Sequence, residues 1–182
     1  IDFSIGPSKS NTIVTIHDES NYADGYTIFG TADGTYSAAI DMHGNEIWNS
    51  ADQNFIYYAT DNNGSFFGAQ YNENLDNDYP NVEFSLRNNV IWQDPNDDYV
   101  HHDFIRLPWG DYMGIGSEYQ MGPIHATGSI QALYQDADYQ ADGITNEWPW
   151  NGDKIIIWDK DTKEIKWHWS TFDHYDMMDY DA

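Results

Sequence analysis

The chain has 182 residues, of which 31 are acidic and 7 are lysine or arginine, so its net charge is -24, and it contains no cysteine. The scarcity of cations excludes a nucleic-acid partner, because phosphate binding depends on lysine and arginine, and it argues equally against an anionic membrane surface. Without cysteine there are no disulfides, no thiolate catalysis and no cysteine–zinc sites. No apolar run reaches the length of a membrane helix, so we expect a soluble chain without a membrane span.

The acidic residues gather in loop-like clusters over 76–78, 94–98 and 136–142. Oxygen-rich loops suit Ca²⁺, although none of these clusters has the ligand spacing of a helix–loop–helix calcium site. A solvated acidic surface, a salty environment, bound cations and a positively charged partner are all compatible with this charge. The sequence therefore allows Ca²⁺ and requires no other cofactor.

Short apolar stretches alternate with turns rich in Asp, Asn and Gly, which predicts an all-β fold. Aromatic residues make up 16 % of the chain and favour the half-buried surfaces of sheets. Residues 1–25 are a polar lead-in in which 11–17 is predicted to form one strand, and 118–152 is a long polar insertion with a short helix predicted over 129–134. The other predicted strands are 26–30, 36–41, 46–48, 55–60, 65–69, 82–86, 90–92, 104–107, 112–116, 154–159 and 164–169.

The strand sets repeat along the chain. Phe55-Ile56 recurs as Phe104-Ile105 after 49 residues, and Ile47-Trp48 recurs as Ile91-Trp92 after 44 residues. Four-stranded repeats of this length, each ending near a tryptophan, are typical of a β-propeller, whereas a sandwich or a barrel needs no such repeat. Residues 26–182 supply two to three blades of four antiparallel strands. A closed propeller has more, so we expect an incomplete propeller, either an N-terminal fragment or one that other chains complete.

The sequence resembles the bacterial arylsulfate sulfotransferases over roughly residues 25–176. The resemblance lies in GYTIF at 25–29, in the IDMHGNEIW hairpin at 40–48 and in HHDFIRLPWGDY at 101–112. It extends to IIIWD at 155–159 and to IKWHWS at 165–170, which DH at 173–174 follows. The chain is therefore expected to form the N-terminal portion of such a propeller.

The resemblance implies a periplasmic or extracellular six-bladed propeller. It implies transfer of a sulfuryl group from a phenolic sulfate donor to a phenol acceptor without a nucleotide cofactor. One of the family's site histidines falls in the His-His-Asp motif, so its counterpart is His101 or His102. The nucleophilic histidine and the arginine of the family belong to a C-terminal half that this sequence does not contain. The chain then supplies only part of the site, and the remaining half or other subunits would be its partners.

The chemistry of histidine fits this role. Sulfuryl transfer builds negative charge on the transferred oxygens and on the leaving phenolate, and imidazolium groups stabilise both. Adjacent strand residues point to opposite faces, so we expect only one histidine of the pair to face the channel. We favour His102, with Asp103 as an orienting neighbour. His174 is the approximate repeat equivalent of His102, and it would line the same channel or pack between blades.

Several alternatives remain. The paired histidines would instead be structural if they hydrogen-bond between blades. A zinc site made of His101, His102 and His174 is another option. His125 lies in the insertion, on the surface or on a lid over the channel, and Arg106 binds an anion or pairs with a nearby acid. The whole chain would alternatively be a non-catalytic, secreted acidic module for extracellular assembly or surface attachment, with Ca²⁺ involved or not.

Overall fold

A computed structural model describes residues 7–177 apart from 17, 19, 22, 96, 97 and 99. Within them the fold is all-β, with three antiparallel sheets whose strands follow one another in chain order. The first sheet contains β1 (Thr27–Thr31), β2 (Tyr36–Ile40) and β3 (Glu46–Asn49); the second contains β4 (Phe55–Thr60), β5 (Phe66–Gln70), β6 (Asn81–Phe84) and β7 (Val90–Gln93). The third contains β8 (Val100–Arg106), β9 (Tyr112–Pro123), β10 (Asn146–Trp158) and β11 (Ile165–Ser170).

The predicted strands from residue 26 onward are confirmed, and the insertion is where the structure differs most from the prediction. Strands β9 and β10 continue pairing far beyond Gly116, up to Pro123 opposite Asn146, so much of the insertion is a long hairpin. Its tip carries α1 (Gly128–Asp136), which confirms the predicted helix. The sequence did not predict this hairpin because most of its side chains are polar and few are buried, so the alternation typical of a half-buried strand is missing.

The strand predicted over 11–17 is wrong for residues 11–16, which form no strand, while His17 lies outside the described residues. Just before this stretch, the backbone N–H groups of Lys9 and Ser10 donate to the carboxylate of Glu46. An alternating pattern makes a strand only where a neighbouring strand offers backbone partners. Among the described strands, none pairs with residues 11–16.

Aspartates close several of the hairpin turns. Asp41 Oδ1 accepts hydrogen bonds from the N–H groups of His43 and Asn45, at 2.8 and 2.9 Å. Asp61 Oδ1 does the same for residues 63 and 65, and Asp159 Oδ1 for residues 161 and 162. Aspartate favours such turns because its side chain satisfies backbone donors that the turn leaves open. Part of the acidity of the chain therefore serves its turns.

Two apolar clusters hold the three sheets in a stack. Phe55, Phe66, Val82 and Phe84 are buried between the first and second sheets, and Trp48 packs against them. The second cluster lies between the second and third sheets and consists of Phe67, Trp92, Val100, Phe104, Tyr112, Ile156 and Trp158. The second sheet is thus buried on both faces and forms the centre of the molecule.

The last two strands of each sheet share one register. Trp48, Trp92 and Trp167 face Ala39, Glu83 and Ile157, and in each case the register shifts one residue further along the same hairpin. Strands β1, β2 and β3 of the first sheet therefore correspond to the second, third and fourth strands of the other two sheets. The repeat seen in the sequence is therefore also a repeat of cross-strand pairing.

Among the described residues no helix is both long enough and apolar enough to cross a membrane. The longest, α1, has nine residues.

Candidate functional site

The paired histidines lie in β8, at a bulge. The register against β9 shifts between His101 and Phe104, and His102 has a φ of 61°, in the left-handed region that histidine adopts more readily than most residues. The bulge interrupts the strict alternation of side chains. The two imidazole rings therefore touch, with centroids 4.7 Å apart and planes almost perpendicular.

His101 is fixed by the sheet, whereas His102 faces solvent. His101 Nε2 lies 3.2 Å from Asp153 Oδ1 on β10, and its Nδ1 is buried without a hydrogen-bond partner among the described residues. Because a carboxylate only accepts, Nε2 carries the hydrogen in this contact. Of the two rings, that of His102 is therefore the one accessible from solvent, and His101 packs against it.

The other predicted members of the site lie apart from this pair. Asp103 is exposed, and the carboxylate that pairs with the histidines in the described chain is Asp153. His174 stacks on Trp169 of β11, with ring centroids 4.9 Å apart. Trp169 and His101 lie in the same cross-strand row at opposite edges of the third sheet, three strand spacings or about 14 Å apart. The structure does not bring His174 next to the pair, and its stacking favours a packing role.

Arg106 is held by acids, which confirms that alternative for this residue. Its guanidinium donates to Glu83 Oε1 and to Asp61 Oδ2, each at 3.0 Å. Glu83 is fully buried and also accepts the Tyr112 hydroxyl at 2.6 Å. This network joins the second and third sheets. Arg106 is therefore engaged in sheet packing, and we do not assign it to anion binding.

The network shifts the pKa values of its members. Burial, followed by the hydrogen bond to Glu83, raises the pKa of the Tyr112 hydroxyl well above its ordinary value. Burial alone lowers the pKa of Arg106, but the attraction of Glu83 and Asp61 outweighs it and the pKa is raised. Tyr112 therefore stays protonated and Arg106 stays charged throughout the physiological range.

His125 lies on the projecting hairpin, away from β8. It lines a mostly apolar cavity of about 230 Å³ together with Trp148, Trp150, Tyr134 and Leu133. The cavity is at the end of the hairpin, and Trp150 lies three residue steps, about 10 Å of strand, from Asp153. Side chains at 150 and 153 also point to opposite faces of β10. His125 therefore belongs to the projecting hairpin and not to the surroundings of the histidine pair.

Within the described part of the chain, no group of three or more His, Asp or Glu side chains is arranged to hold a metal ion. The zinc and calcium alternatives therefore remain predictions from sequence.

No protein-family model, curated protein or solved structure matches the chain. The resemblance to the arylsulfate sulfotransferases stays a prediction.

The sequence analysis did not identify two acidic residues that contact the predicted site residues. Asp153 lies between the predicted insertion over 118–152 and the strand predicted from 154, and nothing in its sequence neighbours pointed to His101 across the sheet. Glu83 stands between Val82 and Phe84, and a charge inside a strand that is buried on both faces signals a buried partner.

Proposed function

We propose that the three sheets are successive blades of a β-propeller and that the His101–His102 pair belongs to a sulfuryl-transfer site. The four-stranded meanders and the repeated tryptophan position support the blade assignment. The first sheet would be a blade whose innermost strand is not among the described strands. Strand β8 is the first strand of its sheet, which in a propeller lies at the channel.

The observation that carries the chemical proposal is the exposed imidazole of His102, supported on its buried side by His101. In the overall reaction the S–O bond of a phenolic sulfate ester breaks and a new S–O bond forms to an acceptor phenol. The acceptor's proton ends on the released phenol. An imidazolium at His102 would donate a proton to the leaving oxygen and then recover one from the acceptor.

His101 would act as a positioning residue. Its contact with Asp153 fixes the ring orientation, and its ring contacts that of His102 edge to face. The resemblance assigns the histidine that takes up the sulfuryl group to a region that this sequence does not contain. The chain would therefore supply the group that stabilises the leaving phenolate, together with its support.

Because this proposal gives the chain part of a site, its first test is binding. We would titrate the protein with 4-nitrophenyl sulfate and follow the histidine ring signals by NMR. The expected result is a shift of the His102 signals that H102Q abolishes, whereas H43Q, an exposed histidine in the β2–β3 turn, leaves binding unchanged. Binding that H102Q does not weaken, or no shift of His102 at millimolar ester, contradicts the proposal.

Turnover is the second test. With a phenol acceptor and the partners that complete the propeller present, we expect release of 4-nitrophenol that H102Q lowers by about a hundredfold, the scale of general acid catalysis. Replacing His101 should lower the rate less, because that ring acts through His102. Release that is equal in the protein and in H102Q would overturn the assignment.

A further inference from the structure

One face of the third sheet is apolar and has no sheet packed on it in the described part of the chain. Two complete cross-strand rows lie there, and the side chain of Trp167 is 47 % exposed and that of Ile105 39 %. The opposite face forms the core against the second sheet. An apolar run such as Ile155–Trp158 is typical of a strand that is buried on both faces. The rows are Ile105–Met113–Ile157–Trp167 and His101–Ile115–Ile155–Trp169.

The two internal sheet interfaces show how this face is covered. Trp48 packs edge-on against Phe66 at 5.3 Å, and its indole N–H donates to the Leu86 carbonyl at 2.8 Å. Trp92 stacks on Tyr112 at 4.0 Å and donates to the Lys160 carbonyl at 3.0 Å. In both cases the tryptophan contacts two groups of the following sheet. One is the aromatic ring of the first residue of that sheet's second strand, and the other is a carbonyl in the turn before its last strand. Trp167 occupies the same register.

The corresponding receiving position exists in the first sheet, and a cavity lies there. Phe66 and Tyr112, which contact Trp48 and Trp92, pair across their sheets with Phe84 and Trp158. In the first sheet the equivalent pair is Thr27 with Ile40. Met42 is the second residue of its turn, as Leu86 and Lys160 are of theirs. Thr27 and Met42 both line an open cavity of about 330 Å³. A small threonine replaces the aromatic ring of the other sheets, which leaves room for an indole. The other lining residues are Ile16, Asp18, Ala23, Asp24, Gly25 and Tyr26.

We propose that a second copy of this chain docks here, with its Trp167 in the cavity formed by Thr27 and Met42. The outer faces of the first and third sheets point away from each other, because the second sheet lies between them. One molecule therefore cannot join its own two ends. The contact is head-to-tail, so each copy uses one surface to donate Trp167 and another to receive it. This inference is independent of the sulfuryl-transfer proposal.

Charge sets the conditions for this association. Each copy carries a net charge of -24, so two copies repel each other at low ionic strength. At about 1 M salt the screening length falls to roughly 3 Å and the repulsion is largely removed. The contact is apolar at Trp167 and Ile105, so salt does not weaken it. Association is therefore expected to strengthen as salt rises.

Sedimentation velocity in high salt tests the proposal. We expect concentration-dependent assembly of the 182-residue chain, lost in W167A and also in T27W, which fills the cavity from an exposed position. W109A is the matched control, since Trp109 is 63 % exposed in the β8–β9 turn and lies on neither surface. Far-UV circular dichroism checks that each variant is folded.

Mixing the two variants gives the decisive result. W167A keeps the cavity and T27W keeps Trp167, so an equimolar mixture should form a complex of one copy of each and nothing larger. If both variants remain monomeric in the mixture, the head-to-tail arrangement is wrong. A protein that stays monomeric at all concentrations in high salt, or assembly that W167A leaves unchanged, overturns the proposal. Either result would show that a second copy does not cover Trp167.

Discussion

Trp92 and Trp167 hold the same place in consecutive sheets and have opposite surroundings. Each follows the same bulge in the last strand of its sheet, yet the side chain of Trp92 is 7 % exposed and that of Trp167 is 47 % exposed. The difference is the third sheet, which places Tyr112, Phe104 and the Lys160 carbonyl around Trp92. Burial at this position is therefore a property of the next sheet.

The two buried interfaces also differ from each other. Between the first and second sheets, Ser37 supplies a fully buried polar link: its hydroxyl donates to the Phe55 carbonyl and accepts from the Tyr57 N–H, each at 2.8 Å. Between the second and third sheets, the link is the charged network of Arg106, Glu83 and Asp61. Similar backbones are thus joined by different polar chemistry, and the cost of breaking each link should differ.

The largest expected effect separates the two tryptophans. W92A should lower the free energy of unfolding by about 3–5 kcal/mol, because it removes a buried ring from the centre of the core. W167A should change it by no more than about 0.5 kcal/mol in dilute protein, as for an exposed residue. Urea unfolding followed by circular dichroism measures both. Equal losses in the two variants would mean that Trp167 is covered within a single copy.

Next comes the charged link. R106M should cost about 3 kcal/mol in the same assay, because it leaves the fully buried Glu83 carboxylate without its cation. The double variant E83Q/R106M should recover most of this loss, since the fully buried charge is then gone and only the partly exposed Asp61 has lost its cation. If the double variant is no more stable than R106M, the loss came from packing of the arginine stem instead of from the buried charge.

The neutral link of the first interface should cost less. S37A leaves the Phe55 carbonyl and the Tyr57 N–H without their hydroxyl partner, and we expect a loss of about 2 kcal/mol in urea unfolding. S8A, which changes an exposed serine whose hydroxyl bonds only within its own segment, is the control and should change stability by no more than about 0.5 kcal/mol. A loss in S37A as small as that of S8A would show that water replaces the hydroxyl.

The smallest effect concerns the turn that receives Trp92. Hydrogen bonds from the N–H groups of Thr162 and Asp161 lower the pKa of Asp159 from 3.8 to about 2. The folded-state pKa lies below the unfolded one, so this contribution to stability is present above pH 3.8 and is lost as the pH falls towards 2. Carboxyl-carbon NMR of Asp159 during acid titration measures it directly.

The second sheet offers the matched control for this turn. Ser85 occupies the position of Asp159 there and accepts from the N–H groups of Arg87 and Asn89. D159S would therefore replace the titrating carboxylate of the third sheet's turn, which is one residue longer, with the hydroxyl that the second sheet uses. The stability of this variant should lose the share of the pH dependence that Asp159 contributes in this window. A D159S variant with an unchanged acid transition would assign that dependence to other carboxylates.

The histidine pair shows how far the sequence could specify the candidate site. Two adjacent imidazoles before an apolar strand were readable, and so was their place at the start of a sheet. The expectation that only one of them could face a given side depended on regular alternation, which the bulge at His102 interrupts. The partner of His101, Asp153, lies across the sheet on the long hairpin. Long-range pairing of that kind leaves no local signal.

By itself the sequence determined the local structure: eleven strands, their turns, the repeat that ends in Trp48, Trp92 and Trp167, and the helix within 118–152. These follow from side-chain pattern and turn chemistry, which act over a few residues. Only the tertiary structure decided which faces are buried, that Arg106 reaches Glu83, and that Trp167 is left open beside a core of the same pattern. The physical reason is that burial belongs to pairs of sheets, and a strand's own residues do not specify the sheet that covers it.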